Sequence, residues 1–97
     1  MNMQAMLKQA QAMQRDMMKA KEEIDNSEFE GESSFVKVVL KGTKEVIAVK
    51  IDAESLDKDD IEALQDMLMV AVNNANKKID AETEKKMSKY GNIPGLF

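Results

Sequence analysis

The side chains in this sequence that could do chemistry are cations gathered near its two ends. Residues 1–21 carry four cations and one acid, and residues 77–90 carry five lysines and three acids. Residues 28–66 instead hold eleven acids and five lysines. The net charge of −4 alone argues against a nucleic-acid-binding chain, but clustered cations can neutralise phosphates or can simply be solvated helix faces. The candidates for phosphate contact are Lys8, Arg15, Lys19, Lys21, Lys77, Lys78, Lys85, Lys86 and Lys89.

An active site or a metal centre is not indicated by the sequence. The chain has no cysteine and no histidine, so it lacks thiolate ligands, imidazole ligands and the usual acid–base group near neutral pH. The Gly-Thr-Lys at 42–44 lacks the earlier glycine of a phosphate-binding loop. The acids at 52–60 lack the turn glycine and the terminal glutamate of a calcium loop, so they are better explained by helix capping. We therefore predict a protein that is not an enzyme, with no cofactor, no metal and no small-molecule substrate.

The apolar runs of the chain are short. Glutamines and a lysine interrupt the N-terminal residues, and the longest apolar run covers only residues 67–72. A helix that spans a membrane needs about 18 or more apolar residues, and a secretory signal needs a continuous apolar stretch. The sequence therefore predicts a soluble, cytoplasmic protein that does not insert into membranes.

Residues 1–25 predict one long helix. They contain no glycine or proline and are rich in methionine, alanine, glutamine, lysine and glutamate, which are good or fair helix formers. The apolar positions follow a 3-4 spacing, which is the narrow seam of a helix that packs on another helix. At 1.5 Å per residue the helix would be roughly 36 Å long, so one end should project or pair. The seam residues are Met3, Met6, Ala10, Met13, Met17, Ala20 and Ile24.

Residues 27–51 change to a period of two, which is typical of strands. We expect strands at 27–32, 35–41 and 45–51, with a hairpin loop at 41–44. On the second strand Val36, Val38 and Leu40 share one face, and on the third Ile47, Val49 and Ile51 do. The predicted fold is therefore α+β, with a long N-terminal helix, a three-stranded antiparallel meander and a long C-terminal helix.

The second helix should run from about residue 60 to 89, with Asp59 as its N-cap and Glu62 three residues later. Residues 67–72 are apolar on every side of that helix, and a single three-stranded sheet cannot cover all sides. A second subunit is the simplest cover, so we predict an intertwined or sheet-sharing homodimer. The interface candidates are Met67, Leu68, Met69, Val70 and Val72, with Met13 and Met17 from the first helix. Residues 1–90 would form one domain, and 91–97 a C-terminal tail.

The order of these segments resembles the YbaB/EbfC family of bacterial nucleoid-associated proteins over nearly the whole chain. The first helix carries MLKQAQAMQ at 6–14, similar to that family's opening helix. VKV at 36–38 with Gly42 resembles its hairpin, and VKID at 49–52 followed by DIEALQDML at 60–68 resembles its passage from strand to helix. AVNNA at 71–75 and IPG at 93–95 are similar to its helix centre and usual ending.

The resemblance implies a homodimer with a shared β core and projecting helices that binds double-stranded DNA and associates with the nucleoid. Phosphate contact by the nine cations would then be the main interaction, with an effect on chromosome organisation or gene expression. The alternative is a non-enzymatic adaptor that binds a protein partner along its methionine-rich helix seam. A flexible methionine surface can accept variable apolar partners, although it can equally fill a helix–helix or dimer seam.

Overall fold

A computed structural model of the chain describes residues 2–90, and the predicted tail at 91–97 lies outside the described residues. Helix α1 spans Met3–Asn26, strands β1, β2 and β3 span Glu28–Ser33, Val36–Lys41 and Val46–Ile51, and helix α2 spans Ile61–Met87. Short 3₁₀ turns at Lys58–Asp60 and Ser88–Tyr90 flank α2. The predicted α+β order of helix, three strands and helix is confirmed.

The three strands form one antiparallel sheet in the order β1-β2-β3. Val38 lies opposite Val49 and Val36 lies opposite Ile51, so the inner faces of β2 and β3 are continuous. A bulge then interrupts the register and places Val46, not Ile47, opposite Leu40. The uninterrupted alternation predicted for the third strand is therefore wrong at Ile47, because a bulge adds one residue to one strand of the pair.

Helix α2 packs across β1 and β2 and leaves β3 uncovered. The close approach depends on Gly31 in β1, where a side chain would overlap the backbone of α2 at Ala71 and Ala75. The core between the sheet and α2 includes this contact and is formed by Val36, Val38, Leu40, Ala71, Ala75 and Ile79, all buried. Every residue of β3 is exposed in the single chain.

The entrance to α2 differs from the predicted cap. The chain first makes the 3₁₀ turn, and the backbone N–H of Asp57 donates to the Asp60 carboxylate at 2.9 Å. Asp60 is the residue before α2, and its side chain makes no capping bond to that helix. The prediction of Asp59 as N-cap with Glu62 is wrong because the extra turn shifts the cap two residues towards the N-terminus.

A second apolar cluster joins the two helices away from the sheet. Met17 and Ile24 of α1 pack with Met87 at the end of α2, and Ala20 and Tyr90 pack against them. We call this pairing, formed by α1 and residues 77–90, the helical arm. The described chain measures 70 × 19 × 16 Å along its principal axes, so the helices extend it well beyond the sheet.

The hairpin between β2 and β3 anchors the arm to the sheet. Gly42 in this loop donates its N–H to the Ser27 carbonyl at 3.0 Å, just after α1 ends. A side chain at this position would overlap the carbonyl of Ile24, so only glycine allows the loop to lie against the end of α1. Lys44 in the same loop reaches Asp80 of α2 at 3.2 Å.

Candidate nucleic-acid interface

The nine cations predicted to contact phosphate all lie on the helical arm. Four belong to α1 and four to α2, and Lys89 lies in the 3₁₀ turn that follows. All are exposed except Lys86, which is half-buried. The arm therefore brings together the two basic segments that are far apart in the sequence, because Met17, Ile24 and Met87 pack the two helices against each other.

Two of the nine cations already have acidic partners. Lys21 contacts Asp25 one turn along α1, with 3.3 Å between Nζ and Oδ2. Lys86 lies 3.5 Å from Glu23 and 3.9 Å from Glu82, so it connects the two helices. A lysine that must leave a carboxylate before it reaches a phosphate gains less from binding, so these two cations are the weakest candidates.

Seven cations have no acidic partner within 4.0 Å among residues 2–90, and Lys89 additionally lies 5.1 Å from the centre of the Tyr90 ring. On α1, Lys8, Arg15 and Lys19 lie about 160–200° around the helix from Met17, given roughly 100° per residue. Because Met17 faces α2, these three side chains point away from it and into solvent. The remaining four are Lys77, Lys78, Lys85 and Lys89.

The arm carries nine cations and seven acids, a net charge of +2, whereas the rest of the chain carries five lysines and eleven acids, a net charge of −6. Asp52, Glu54, Asp57, Asp59 and Glu62 are exposed in the segment that leads from β3 into α2. The lysines of the sheet are partly neutralised, since Lys37 lies 3.4 Å from Glu32. A polyanion is therefore attracted to the arm and repelled by the segment that precedes α2.

The predicted dimer-interface residues fall into two groups. Met67, Leu68 and Val72 are half-buried against the core of their own chain. Met69 and Val70 are 60% and 46% exposed, as expected for the uncovered side of a helix that is apolar all round.

The two interface candidates on α1 also differ from each other. Met13 is 46% exposed, whereas Met17 is only 7% exposed because Met87 and Ile24 of the same chain cover it. Little of the Met17 side chain is therefore accessible for contact with a second subunit. The more N-terminal seam residues Met3 and Met6 are exposed along with Met13.

The interface candidates chosen from the sequence did not include the residues of β3, which form an exposed apolar surface of the described chain. Val46, Ile47, Val49 and Ile51 are each 38–49% exposed, and one edge of the strand pairs with no other strand of residues 2–90. Apolar edge strands are rare in proteins that remain monomeric, because they pair with other chains. The signal in the sequence was the apolar alternation of the last strand, but nothing in it indicated that α2 would stop short of β3.

Two further properties concern the part of the chain that the structure describes. No helix within residues 2–90 combines the length and the apolar character needed to cross a membrane. In the same residues, no three histidine, cysteine or carboxylate side chains come together as metal ligands would.

Comparison with known proteins relates the chain to a protein family. The model of the YbaB/EbfC DNA-binding family matches residues 1–93. The chain is 43% identical to a nucleoid-associated protein of Ligilactobacillus salivarius (strain UCC118), over 99% of this chain and 95% of that protein. It is 44% identical to a nucleoid-associated protein of Pelotomaculum thermopropionicum, over 99% of this chain and 96% of that protein.

One solved structure supports the fold. The crystal structure of an uncharacterised protein from Helicobacter pylori superposes with a TM-score of 0.75 at 22% sequence identity. The alignment covers 93% of this chain and 97% of the other. At this level of identity the similarity concerns the arrangement of helices and strands.

Proposed function

This chain belongs to the YbaB/EbfC DNA-binding family, and from that premise we propose that it binds duplex DNA as a non-enzymatic, nucleoid-associated homodimer. The helical arms supply the contacts, and phosphates rather than base edges are their main targets. Bound along the chromosome, such a protein influences its organisation or the expression of its genes. Its location in the cell is then the cytoplasm, on the nucleoid.

The observation that carries this proposal is the separation of charge between the arm and the rest of the chain. Seven arm cations have no acidic partner among residues 2–90, while the exposed acids at 52–62 lie near the other end of α2. The acidic net charge arises outside the arm, whose nine cations and seven acids give it a net charge of +2, so the part that approaches DNA is the more basic one. Each phosphate that a lysine or arginine neutralises releases condensed counterions, and this release drives binding that depends little on sequence.

A homodimer is supported by the apolar surfaces that one chain leaves open. The inner face of β3, with Val49 and Ile51, continues the core face of β2, but no helix within residues 2–90 covers it. Met69 and Val70 on α2 are exposed as well. A second copy that covers β3 removes this surface from water and pairs the free strand edge. It also doubles the number of arms that one DNA molecule meets.

An adaptor function is the second candidate, and the exposed methionines of α1 favour it. Met3, Met6 and Met13 continue the same helix seam that Met17 occupies, but they are 46–84% exposed and do not belong to its buried cluster. A protein that docks there would be held by apolar contacts, which salt hardly weakens. DNA association would then be indirect.

The test is a titration of purified protein into a fluorescently labelled duplex of mixed sequence, followed by anisotropy at 50 and 200 mM salt. If a dimer contacts six phosphates, its affinity should fall by about 10³-fold across this range. Absence of binding at the lower salt, with a dimer confirmed by light scattering on the same sample, would exclude direct DNA binding. A salt-independent interaction with a protein partner would then support the adaptor function.

The control for this titration is a set of charge reversals. Lys8→Glu with Arg15→Glu removes cations that have no acidic partner, whereas Lys21→Glu removes one that is already paired with Asp25. The double variant should lose far more affinity per charge than Lys21→Glu. Equal losses per charge would mean that overall charge, and not the exposed face of the arm, governs binding.

A further inference from the structure

The cations of the two helices repeat one pattern about the seam of the arm. In α1, Met17 is buried in the seam. Lys8 lies nine residues before it, Arg15 lies two residues before it, and Lys19 lies two residues after it. In α2, Met87 is buried in the same cluster, and cations occupy the same three offsets: Lys78, Lys85 and Lys89. We call these sets the α1 row and the α2 row.

The offsets determine the direction in which each row faces. Within an α-helix, at roughly 100° per residue, positions −9, −2 and +2 lie about 180°, 160° and 200° from the seam methionine, which applies to the whole α1 row and to Lys78 and Lys85 of the α2 row. The α1 row, Lys78 and Lys85 therefore point away from the seam, whereas Lys89 follows the end of α2, with its Nζ 5.1 Å from the ring of Tyr90, which packs on the seam cluster. Because Met17 and Met87 pack against each other, the two rows face opposite sides of the arm.

Both rows are available to an anion. All six side chains are exposed, and none has an acidic partner within 4.0 Å among residues 2–90. By contrast, Lys21 and Lys86, which lie off the rows, are held by Asp25, Glu23 and Glu82. Each row extends about 16 Å along its helix at 1.5 Å per residue. That length matches roughly five base pairs of one DNA strand at 3.4 Å each.

One duplex cannot lie against both rows of an arm. Packed helices are 8–10 Å apart and each is about 10–12 Å wide with side chains, so the rows are separated by roughly 20 Å of protein. The described chain is elongated and 19 × 16 Å across its short axes, which agrees with an arm two helices wide. A straight duplex on one side of the arm leaves the row on the other side facing solvent.

We propose that each helical arm carries two separate DNA sites, one on each row, and that the protein thereby bridges two duplexes. This inference rests on the proposed function, because it assigns a second DNA segment to the same arm. The α1 row holds one duplex by phosphate contact and the α2 row holds the other. Two DNA segments are joined without any change in the structure of the arm.

The experiment counts the duplexes bound per chain. The protein is saturated with a labelled duplex at 50 mM salt. The duplex has about 12 base pairs, which is longer than the roughly five base pairs that one row spans. Sedimentation velocity then gives the number of duplexes on each complex. Three triple variants are compared with the wild type: Lys8→Gln/Arg15→Gln/Lys19→Gln, Lys78→Gln/Lys85→Gln/Lys89→Gln, and the control Lys37→Gln/Lys41→Gln/Lys58→Gln, which removes the same charge outside the arm.

We expect removal of either row to lower the number of duplexes bound at saturation. The sites that remain should keep their affinity within about twofold, since well-separated sites behave additively. They should also keep their salt dependence, whereas the control should bind the wild-type number. Circular dichroism of each variant establishes that the helices are intact, as expected for substitutions of exposed side chains.

Two outcomes would overturn the inference. An unchanged number of duplexes, with a log–log salt slope reduced by about 2.7 for three lost cations, would mean that both rows serve one duplex. Row variants that match the wild type in number, affinity and salt slope would mean that a row is only a solvated helix face. If the wild type binds no duplex at all, the proposed function itself fails, and this result is distinct from the other two.

A capture assay tests the bridge directly. Magnetic beads that carry one biotinylated duplex are incubated with protein and with a second, fluorescent duplex. The wild type should retain the fluorescent duplex on the beads, and a variant lacking both rows should retain none. Binding of the first duplex without capture of the second would refute bridging while leaving the DNA-binding function intact.

Discussion

Gly31→Ala should destabilise the protein strongly, although alanine is the better residue by local preference. Glycine inside a strand costs about 0.5–1 kcal/mol relative to alanine, so propensity alone predicts a more stable chain. The added methyl group, however, would overlap the carbonyl oxygen of Ala71 and the amide nitrogen of Ala75. Both obstacles are backbone atoms of α2, so no change of side-chain rotamer can relieve them, and the helix must move away from the sheet.

The magnitude follows from these opposing effects. Overpacking of a core costs about 1–3 kcal/mol and more where the neighbours cannot adjust. A cost near the upper end, reduced by the gain in propensity, leaves a loss of about 2–3 kcal/mol in the free energy of unfolding. Since the contact lies between β1 and α2, the displacement also moves the helix that carries the α2 row.

The assay is urea unfolding followed by circular dichroism at one fixed protein concentration, because dimerisation makes apparent stability depend on concentration. With a slope near 1 kcal/mol per molar urea, the midpoint should fall by roughly 2–3 M. The matched control is Glu28→Ala in the same strand, where the side chain is exposed and the change should stay within about 0.5 kcal/mol. A midpoint for Gly31→Ala within 0.5 M of the wild type would refute the close contact between β1 and α2.

Three further substitutions test the dimer, the arm and the hairpin. Val49→Glu places a charge on the open face of β3 and should convert the dimer into folded monomers, measured by light scattering; a persisting dimer would move the interface elsewhere. Met87→Ala should cost about 2–4 kcal/mol because Met87 is 2% exposed in the arm seam. Met18→Ala, at a side chain of α1 that is 66% exposed, should leave stability nearly unchanged, and equal urea midpoints for the two variants would contradict the seam. Lys44 has a φ of 76°, a backbone conformation that costs energy for any residue except glycine. Lys44→Gly should therefore stabilise the protein by a few tenths of a kcal/mol in thermal unfolding, because removing this strain outweighs losing the exposed ion pair with Asp80. Lys44→Ala loses the same ion pair but keeps the strain, so it should destabilise the protein.

The helix seam illustrates how far spacing alone can be interpreted. The 3-4 spacing predicted a packed seam in α1, and Met17 and Ile24 are indeed buried. Met3, Met6 and Met13 follow the same spacing and are exposed. The pattern specifies which side of the helix is apolar. Burial also requires a packing partner at the same position along the helix axis, and α2 packs against the C-terminal half of α1.

The candidate site was predicted as a set of residues but not as an arrangement. Charge clustering selected the nine cations, and all of them lie on the arm. It could not separate Lys86, held by Glu23 of the other helix, from the cations that have no acidic partner among residues 2–90. Ion pairs between helices depend on which helices pack together, and local sequence does not contain that information.

The local sequence pattern was sufficient to predict the helices and strands themselves. A helix period of 3.6 and a strand period of 2 are properties of short stretches of backbone, so the sequence by itself determined two long helices around three strands. Only the tertiary structure decided which apolar surfaces would be covered. It placed α2 over β1 and β2 through the close contact at Gly31 and left β3 open. It also paired Met17 with Met87, which directs two rows of cations to opposite sides of one arm, because the direction of a side chain is set by the neighbour against which its helix packs.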